Sequence, residues 1–484
     1  MSEEAIIGLE VHVQLNTLRT KLFCSCPSDY RGKPPNTNVC PVCLGLPGAL
    51  PVVNKEAVIK AIKVALALNC KISNVLIFSR KHYFYPDMTK NYQISQYEGV
   101  GGIPIAYSGF LTMEVEGRQK RVRIRRINIE EDPGRIVYPT GSLLTSTYTL
   151  IDYNRAGIGL LEIVTEPDLR TPKEARLFIE KLKSILEHLD VCNCDLEGAL
   201  RVDANVSIPG GSRVEIKNIG SPKEVERALA YEILRQKHAL MRGEIVRRET
   251  RHWDSVRKVT VSMRVKEFEE DYRYFPDPDL PPIPIPKDLI EKVNAEMPEL
   301  PDERIERFVS EYGLTRYEAR VLVMNKKLAD YFEDVVRLGA NVKKTVSILI
   351  NDFIRYVNEL NLSLSDALRV IKPVYIKELV DLLNEGVIST KIMKKVLPEM
   401  FKSRKSPKDI VKELGLIKIS DVGFIKRVVD EVFNEYPKAV QDALINRRAI
   451  EFLVGQVMKK TRGRADPLIT RRLIEEKLSK LRSG

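Results

Sequence analysis

The sequence predicts an α+β protein: a large mixed-sheet domain with flanking helices, followed by an all-α helical connector and a small all-α C-terminal tail domain. Three observations predict it. Up to about Leu280, short runs of period two alternate with Gly/Pro turns and a few capped helices. From Phe275 to Pro286 a run of prolines removes backbone donors and fixes φ, which excludes helix and central strand. Beyond it, apolar residues recur at helical spacing. A chain of 484 residues, at about 150 residues per domain, has room for roughly three domains and at least one large core. The boundaries are expected at 1–286, 287–405 and 406–484.

The first element is a strand. In Ile7-Gly8-Leu9-Glu10-Val11-His12-Val13-Gln14-Leu15, alternation puts Glu10, His12 and Gln14 on one side and Leu9, Val11, Val13 and Leu15 on the other. One face is for burial and one is wet. Next come four cysteines, Cys24-x-Cys26 and Cys40-x-x-Cys43, in a stretch rich in Pro and Asn that cannot hold itself in a core. Two thiol pairs brought together by such a loop read as a tetrahedral zinc clamp. The apolar helix from Ala57 to Leu68 is interrupted by Lys60 and Lys63, so no segment here reads as spanning a bilayer and no membrane partner is expected. Thr171-Pro172-Lys173-Glu174 opens a helix with an N-cap, Pro at N1 and a capping-box Glu, and Phe178, Ile179, Leu182, Ile185, Leu186 and Leu189 form its stripe. Leu200 to Ile208 alternates, turns at Pro209 to Ser212 and returns through Arg213 to Lys217, a hairpin with a polar face. Ser221-Pro222-Lys223-Glu224 opens another helix. Helices are expected near Asp302 to Tyr312, Arg316 to Leu338, Lys343 to Leu360 and Pro373 to Asn384, and Ser406-Pro407 opens the tail.

The formal net charge is +12, and from Lys402 to Gly484 alone 20 Lys and Arg face 11 Asp and Glu. That asymmetry suits a polyanion such as RNA, while the bland reading is a charge-rich surface of thermophile type. Seven cysteines without a secretory leader fit reduced thiols in the cytoplasm and metal binding; Cys192-x-Cys194 reads as packing. Three stretches offer hard ligands: Glu10 with His12, Glu130-Glu131-Asp132-Pro133-Gly134, and Glu162 inside the apolar run Leu160 to Val164. A buried carboxylate needs a partner. Either Mg²⁺ or an arginine such as Arg155 would serve for Glu162, and His12 reads equally as a hydrogen-bonded strand histidine. The stretch Asp271-Tyr272-Arg273-Tyr274-Phe275 would stack a base or plug the core.

At these residues the chain resembles the GatB family, the B-type subunits of the glutamyl/aspartyl-tRNA amidotransferases. The resemblance runs from end to end through Ile7 to Leu15, Gly45 to Asn54, Arg80 to Gln96, Ile129 to Gly134, Asp152 to Pro167, Arg201 to Ser207 and Asp271 to Leu280. It implies a catalytic cradle, a helical connector and a tail that contacts tRNA. It also implies ATP-dependent activation of the side-chain carboxylate of Glu or Asp misacylated onto tRNA(Gln) or tRNA(Asn), then amidation by ammonia. By the resemblance, His12, Glu131 and Glu162 would hold Mg²⁺, with Glu10 near a second metal position. Lys81 and Arg155 would be catalytic, and Tyr83, Asp203 and Lys217 would line the nucleotide, acyl-phosphate or ammonia path. Cys24, Cys26, Cys40 and Cys43 would hold structural Zn²⁺, as in a subset of the family. No Ser-Ser-Lys amidase constellation is visible, so a partner glutaminase of the amidase type would supply ammonia and a small third protein would strap the two together. Asn128 stands where some relatives carry His, and Gly159 where the family often has Pro. The paralogous archaeal E-type protein is an alternative, but its usual inserted domain is not visible between cradle and helices. A non-catalytic zinc-stabilised RNA-binding protein is the other.

Overall fold

The structure, a computed structural model, describes residues 5–141, 146–265, 272–416, 421–446, 449–461 and 463–483. Asp271, which opens the aromatic stretch, lies outside them. The chain forms two compact units, one running to Arg304 and one from Ile305 onward.

Nine strands make the main sheet of the first unit: β1 (Ile6–Gln14), β2 (Lys71–Ile72), β3 (Ala106–Val115), β4 (Arg118–Glu131), β5 (Gly159–Thr165), β6 (Leu200–Ser207), β7 (Val214–Ile219), β8 (Glu249–Asp254) and β9 (Val259–Val265). Their spatial order is β9-β8-β7-β6-β1-β5-β4-β3-β2. Neighbours are antiparallel except β7 and β8, so the sheet is mixed. The first strand of the sequence therefore becomes the central strand of the sheet. Ile7, Leu9, Val11 and Val13 are at most 2% exposed, because alternation sends them all to the face covered by helices Lys55–Ala67, Pro172–His188 and Pro222–Met241. Phe178, Ile179, Leu182, Ile185 and Leu186 bury their stripe in the same core, at roughly 1.5–3 kcal/mol per large side chain.

The caps form where the sequence places them, but neither box closes: the Glu224 carboxylate accepts from Trp253 Nε1 at 2.7 Å instead of the Ser221 backbone. Thr171 Oγ1 accepts from Glu174 N at 3.2 Å, yet the Glu174 carboxylate accepts from the backbone of Arg170, one residue before the cap, at 2.7 Å and pairs with Lys120. The β6–β7 hairpin forms with Val206 opposite Val214.

The proline run differs from a free linker. Phe275–Pro276 pairs with Ser79–His82 and Ile283–Pro284 with Val75–Leu76, short edge pairings that tolerate missing donors. Helix Lys287–Ala295 then buries Val293 in the first core. The first unit thus continues past Pro286. In the second unit the expected helix from Arg316 to Leu338 is two, Arg316–Val323 and Lys326–Arg337, because Asn325 caps the latter by accepting from Leu328 N at 3.2 Å. The buried apolar residues form two clusters, from Ile305 to Val411 and from Ile425 to Leu478. Helix Pro407–Glu413, capped by Ser406 and expected to open the tail, buries Ile410 and Val411 in the first cluster. No helix among the described residues is long and apolar enough to cross a membrane.

Candidate active site and metal centre

The wet face of β1 is completed by its neighbours. Register sets His12 opposite Glu162 of β5 on one side and Arg201 of β6 on the other, and Glu10 opposite Asp203. Glu10, His12 and Glu162 each offer a ligand atom, all within 4.8 Å of one another. His12 Nε2 lies 3.5 Å from Glu10 Oε1. Glu162 Oε2 accepts from Asn128 Nδ2 at 2.6 Å and lies 3.9 Å from Arg126 Nε. Asn128 Oδ1 is buried there without a hydrogen-bond partner among the described residues. Burial, together with the charges of Glu130 and Glu10, pushes the Glu162 carboxyl well above its ordinary value. Burial pushes Glu10 up too, but His12, Lys217 and Lys81 outweigh it and leave Glu10 below its ordinary value. A crowded, desolvated set of carboxylates with one imidazole suits a hard divalent cation.

Arg155, weighed as a partner for Glu162, is engaged elsewhere. It donates to the carbonyls of Pro133 and Gly134 at 3.0 and 2.8 Å and lies 3.9 Å from Asp132. Asp132 is buried and accepts from Gln14 Nε2 and Arg201 Nη2, each at 2.6 Å. Burial works against its charge, but Arg201 and Arg155 prevail and hold it below the usual carboxylate range.

The structure does not bring Glu131 to the group. Successive side chains of a strand point to opposite faces. The Glu131 carboxylate accepts from Lys90 Nζ at 2.7 Å and Ile94 N at 3.0 Å. Glu130 has the parity of Asn128, accepts from Ser95 Oγ and Gln93 Nε2, and its charge is felt at Glu162. Lys81, on the strand Ser79–His82, sits 5.0 Å from the Tyr272 ring. Burial would lower its ammonium, but Tyr274, Glu130, Glu162 and Glu10 overcome that and hold its pKa well above the ordinary value. Asp203 accepts from Lys217 Nζ and Asn218 N, both at 3.0 Å. Tyr83 stacks on Tyr85, with ring centres 5.9 Å apart. Sequence reasoning named Asn128 and Glu130 but missed Arg126; the three share one face of β4, opposite Val164, Glu162 and Leu160 of β5, a pairing that alternation along β4 alone does not reveal.

The four cysteines converge as well. One sulfur from each of Cys24, Cys26, Cys40 and Cys43 lies within 4.8 Å of the others, and Cys40 N donates to Cys43 Sγ at 3.1 Å. A hydrogen bond from Cys24, aided by Lys21, pushes Cys43 down to about 4, whereas the same bond pushes Cys24 up. Soft thiolates at this spacing fit zinc. A cavity of about 250 Å³ joins Cys24 and Cys43 to Arg80, Lys90, Tyr92 and Glu131.

Residues 5–291 match the family profile described as GatB/GatE catalytic domain, and residues 330–478 match that described as GatB domain. The B subunit of the aspartyl/glutamyl-tRNA(Asn/Gln) amidotransferase of Sulfurisphaera tokodaii is 62% identical over 470 residues, 97% of this chain and 98% of that protein. The proteins of the same name from Carboxydothermus hydrogenoformans and Thermotoga maritima are 49% and 48% identical, each over 99% of both chains.

Proposed function

The chain belongs to the GatB family of amidotransferase subunits, and from that premise we propose that it converts Glu-tRNA(Gln), Asp-tRNA(Asn) or both to the amides with ATP and ammonia. The observation that carries this is the convergence of Glu10, His12 and Glu162 beside Lys81 on one face of the sheet. A carboxylate is a poor electrophile. Transfer of the γ-phosphoryl group breaks its bond to ADP and forms an acyl phosphate on the substrate side chain. Ammonia then forms the C–N bond as the C–O bond breaks, phosphate leaves, and a surplus proton passes to base.

The hard donors and the orphaned Asn128 Oδ1 fit Mg²⁺. Glu10, His12 and Glu162 would hold it, with Glu130 beside them, and it would neutralise phosphate charge. The other groups are the chain's own. Lys81 and Lys217 present fixed positive charge to the phosphoryl oxygens. Asp203 orients Lys217. Arg155 and Arg201 position Asp132, and through it Gln14. Tyr83 lines the approach. The four cysteines fit zinc, which would fix the loop under the acceptor end of the tRNA.

In this reading a partner amidase hydrolyses glutamine to supply ammonia, a small third protein joins the two, and the complex works in the cytoplasm. The second matching domain and the near-complete coverage of the B-type relatives favour this over the E-type alternative. The test is ammonium-dependent conversion of Glu-tRNA(Gln) and Asp-tRNA(Asn) with ATP and Mg²⁺, by the chain alone and with the amidase and the small third protein. Conversion of either substrate supports the reading. Tight tRNA binding without conversion under any of these conditions would replace it with a non-catalytic RNA-binding role.

A further inference from the structure

Lys21 is among the largest fully buried side chains of the protein, at 0% exposure. An ammonium removed from water is costly unless an anion faces it. Its Nζ donates to the carbonyl of Asn38 at 2.8 Å and to Cys43 Sγ at 3.6 Å. Among the described residues no carboxylate forms an ion pair with it; Glu131, which also borders Gly157, is taken by Lys90 at 2.7 Å. Lys21 is held from both ends. Its backbone N–H donates to Cys26 O at 2.8 Å, and a Cβ at Gly157 would stand 3.4 Å from Cys43 Cβ and 3.6 Å from Lys21 Cδ. The lysine stem and Cys43 thus pack side by side against Gly157. The anion in reach of this ammonium is the cysteine cluster itself.

We propose that Lys21 is the resident counter-ion of the four-cysteine metal centre, donating an N–H to Cys43 Sγ. This rests on the reading of the cluster as a zinc site. Four thiolates around a divalent cation carry a net charge of −2, and one buried ammonium halves it. The same charge draws electron density from the Cys43 sulfur. It therefore offsets repulsion among the ligands and quiets the sulfur toward electrophiles.

The test compares the full chain with its Lys21→Met variant, which keeps length and loses charge. Zinc content, zinc affinity by chelator competition, and the thiolate-to-metal absorption band after cobalt(II) substitution are read for both. The expected result is stoichiometric zinc in the unsubstituted chain, roughly ten-fold or more weaker binding in the variant, and a cobalt band moved to longer wavelength because the sulfur is more electron-rich. A packing defect alone would weaken binding without moving the band. A second measurement needs no variant: in the chain loaded with ¹¹³Cd, a lysine ammonium proton should show scalar coupling to the metal through the N–H···S bond. Stoichiometric zinc with unchanged affinity and band, or no such coupling, overturns the role of Lys21 alone. Absence of zinc in the unsubstituted chain overturns the zinc reading and the counter-ion with it.

Discussion

Replacing Glu162 by Gln takes one carboxylate from a group whose ligand atoms lie within 4.8 Å of one another. ATP-dependent amidation with ammonium should fall at least about 100-fold while tRNA binding is spared; retained turnover would remove Glu162 from the site. The neighbouring pair on β4 divides differently. Glu130→Gln should raise the Mg²⁺ concentration for half-maximal rate. Glu131→Gln should leave it unchanged, because Glu131 serves Lys90 and the backbone of Ile94. A Mg²⁺ titration of each variant decides between them. Asp132 is a structural carboxylate. Its pKa is lower folded than unfolded because Arg201 and Arg155 overcome its burial, so its contribution is complete above the unfolded value of about 3.9 and is lost as pH falls through the folded one. Asp132→Asn should cost about 3–5 kcal/mol near neutrality, and the gap to the unsubstituted chain should narrow in acid. Denaturant midpoints across pH measure both; a gap independent of pH would assign the cost to packing.

The elements that carry the site are a strand and a loop with opposite sources of order. β1 is fixed by its neighbours on both sides, with Ile7, Leu9, Val11 and Val13 buried. The cysteine loop has no such face. It is tied by polar contacts: Arg31 to Gln14 at 2.6 Å, Asn38 N to Asn154 Oδ1 at 2.7 Å and Asn154 Nδ2 to Pro34 O at 2.8 Å. Replacing Cys40 and Cys43 by Ser should therefore release one equivalent of zinc and open the loop to protease, with the sheet left intact. Metal analysis and limited proteolysis check this; unchanged zinc would place the metal elsewhere.

At the scale of the molecule, the basic tail is proposed to add tRNA affinity through phosphate contacts. Its own apolar cluster begins at Ile425, and Pro407–Glu413 packs with the cluster before it. A deletion that tests the tail therefore removes 421–484 rather than everything after Ser406. Binding should weaken and lose part of its salt dependence, because phosphate contacts release counterions; an unchanged salt slope would end the proposal. The sequence by itself determined what is local. The alternation of Glu10 and His12, the caps at Thr171, Ser221 and Ser406, the β6–β7 hairpin and the two cysteine pairs each arise within a few residues. Only the tertiary structure decided what lies opposite what. Glu162 reaches His12 across about 150 positions of sequence and Asn128 across the pairing of β5 with β4, so no local periodicity contains the set. Glu130 and Glu131 look alike in sequence, and strand parity at the end of β4 turns one toward the charge of Glu162 and the other toward Lys90. The prolines forbade helix correctly, but edge pairing with Val75–Leu76 and Ser79–His82 drew them into the first unit. Local order follows from backbone and side-chain preferences; the site follows from register, which burial of the whole sheet selects.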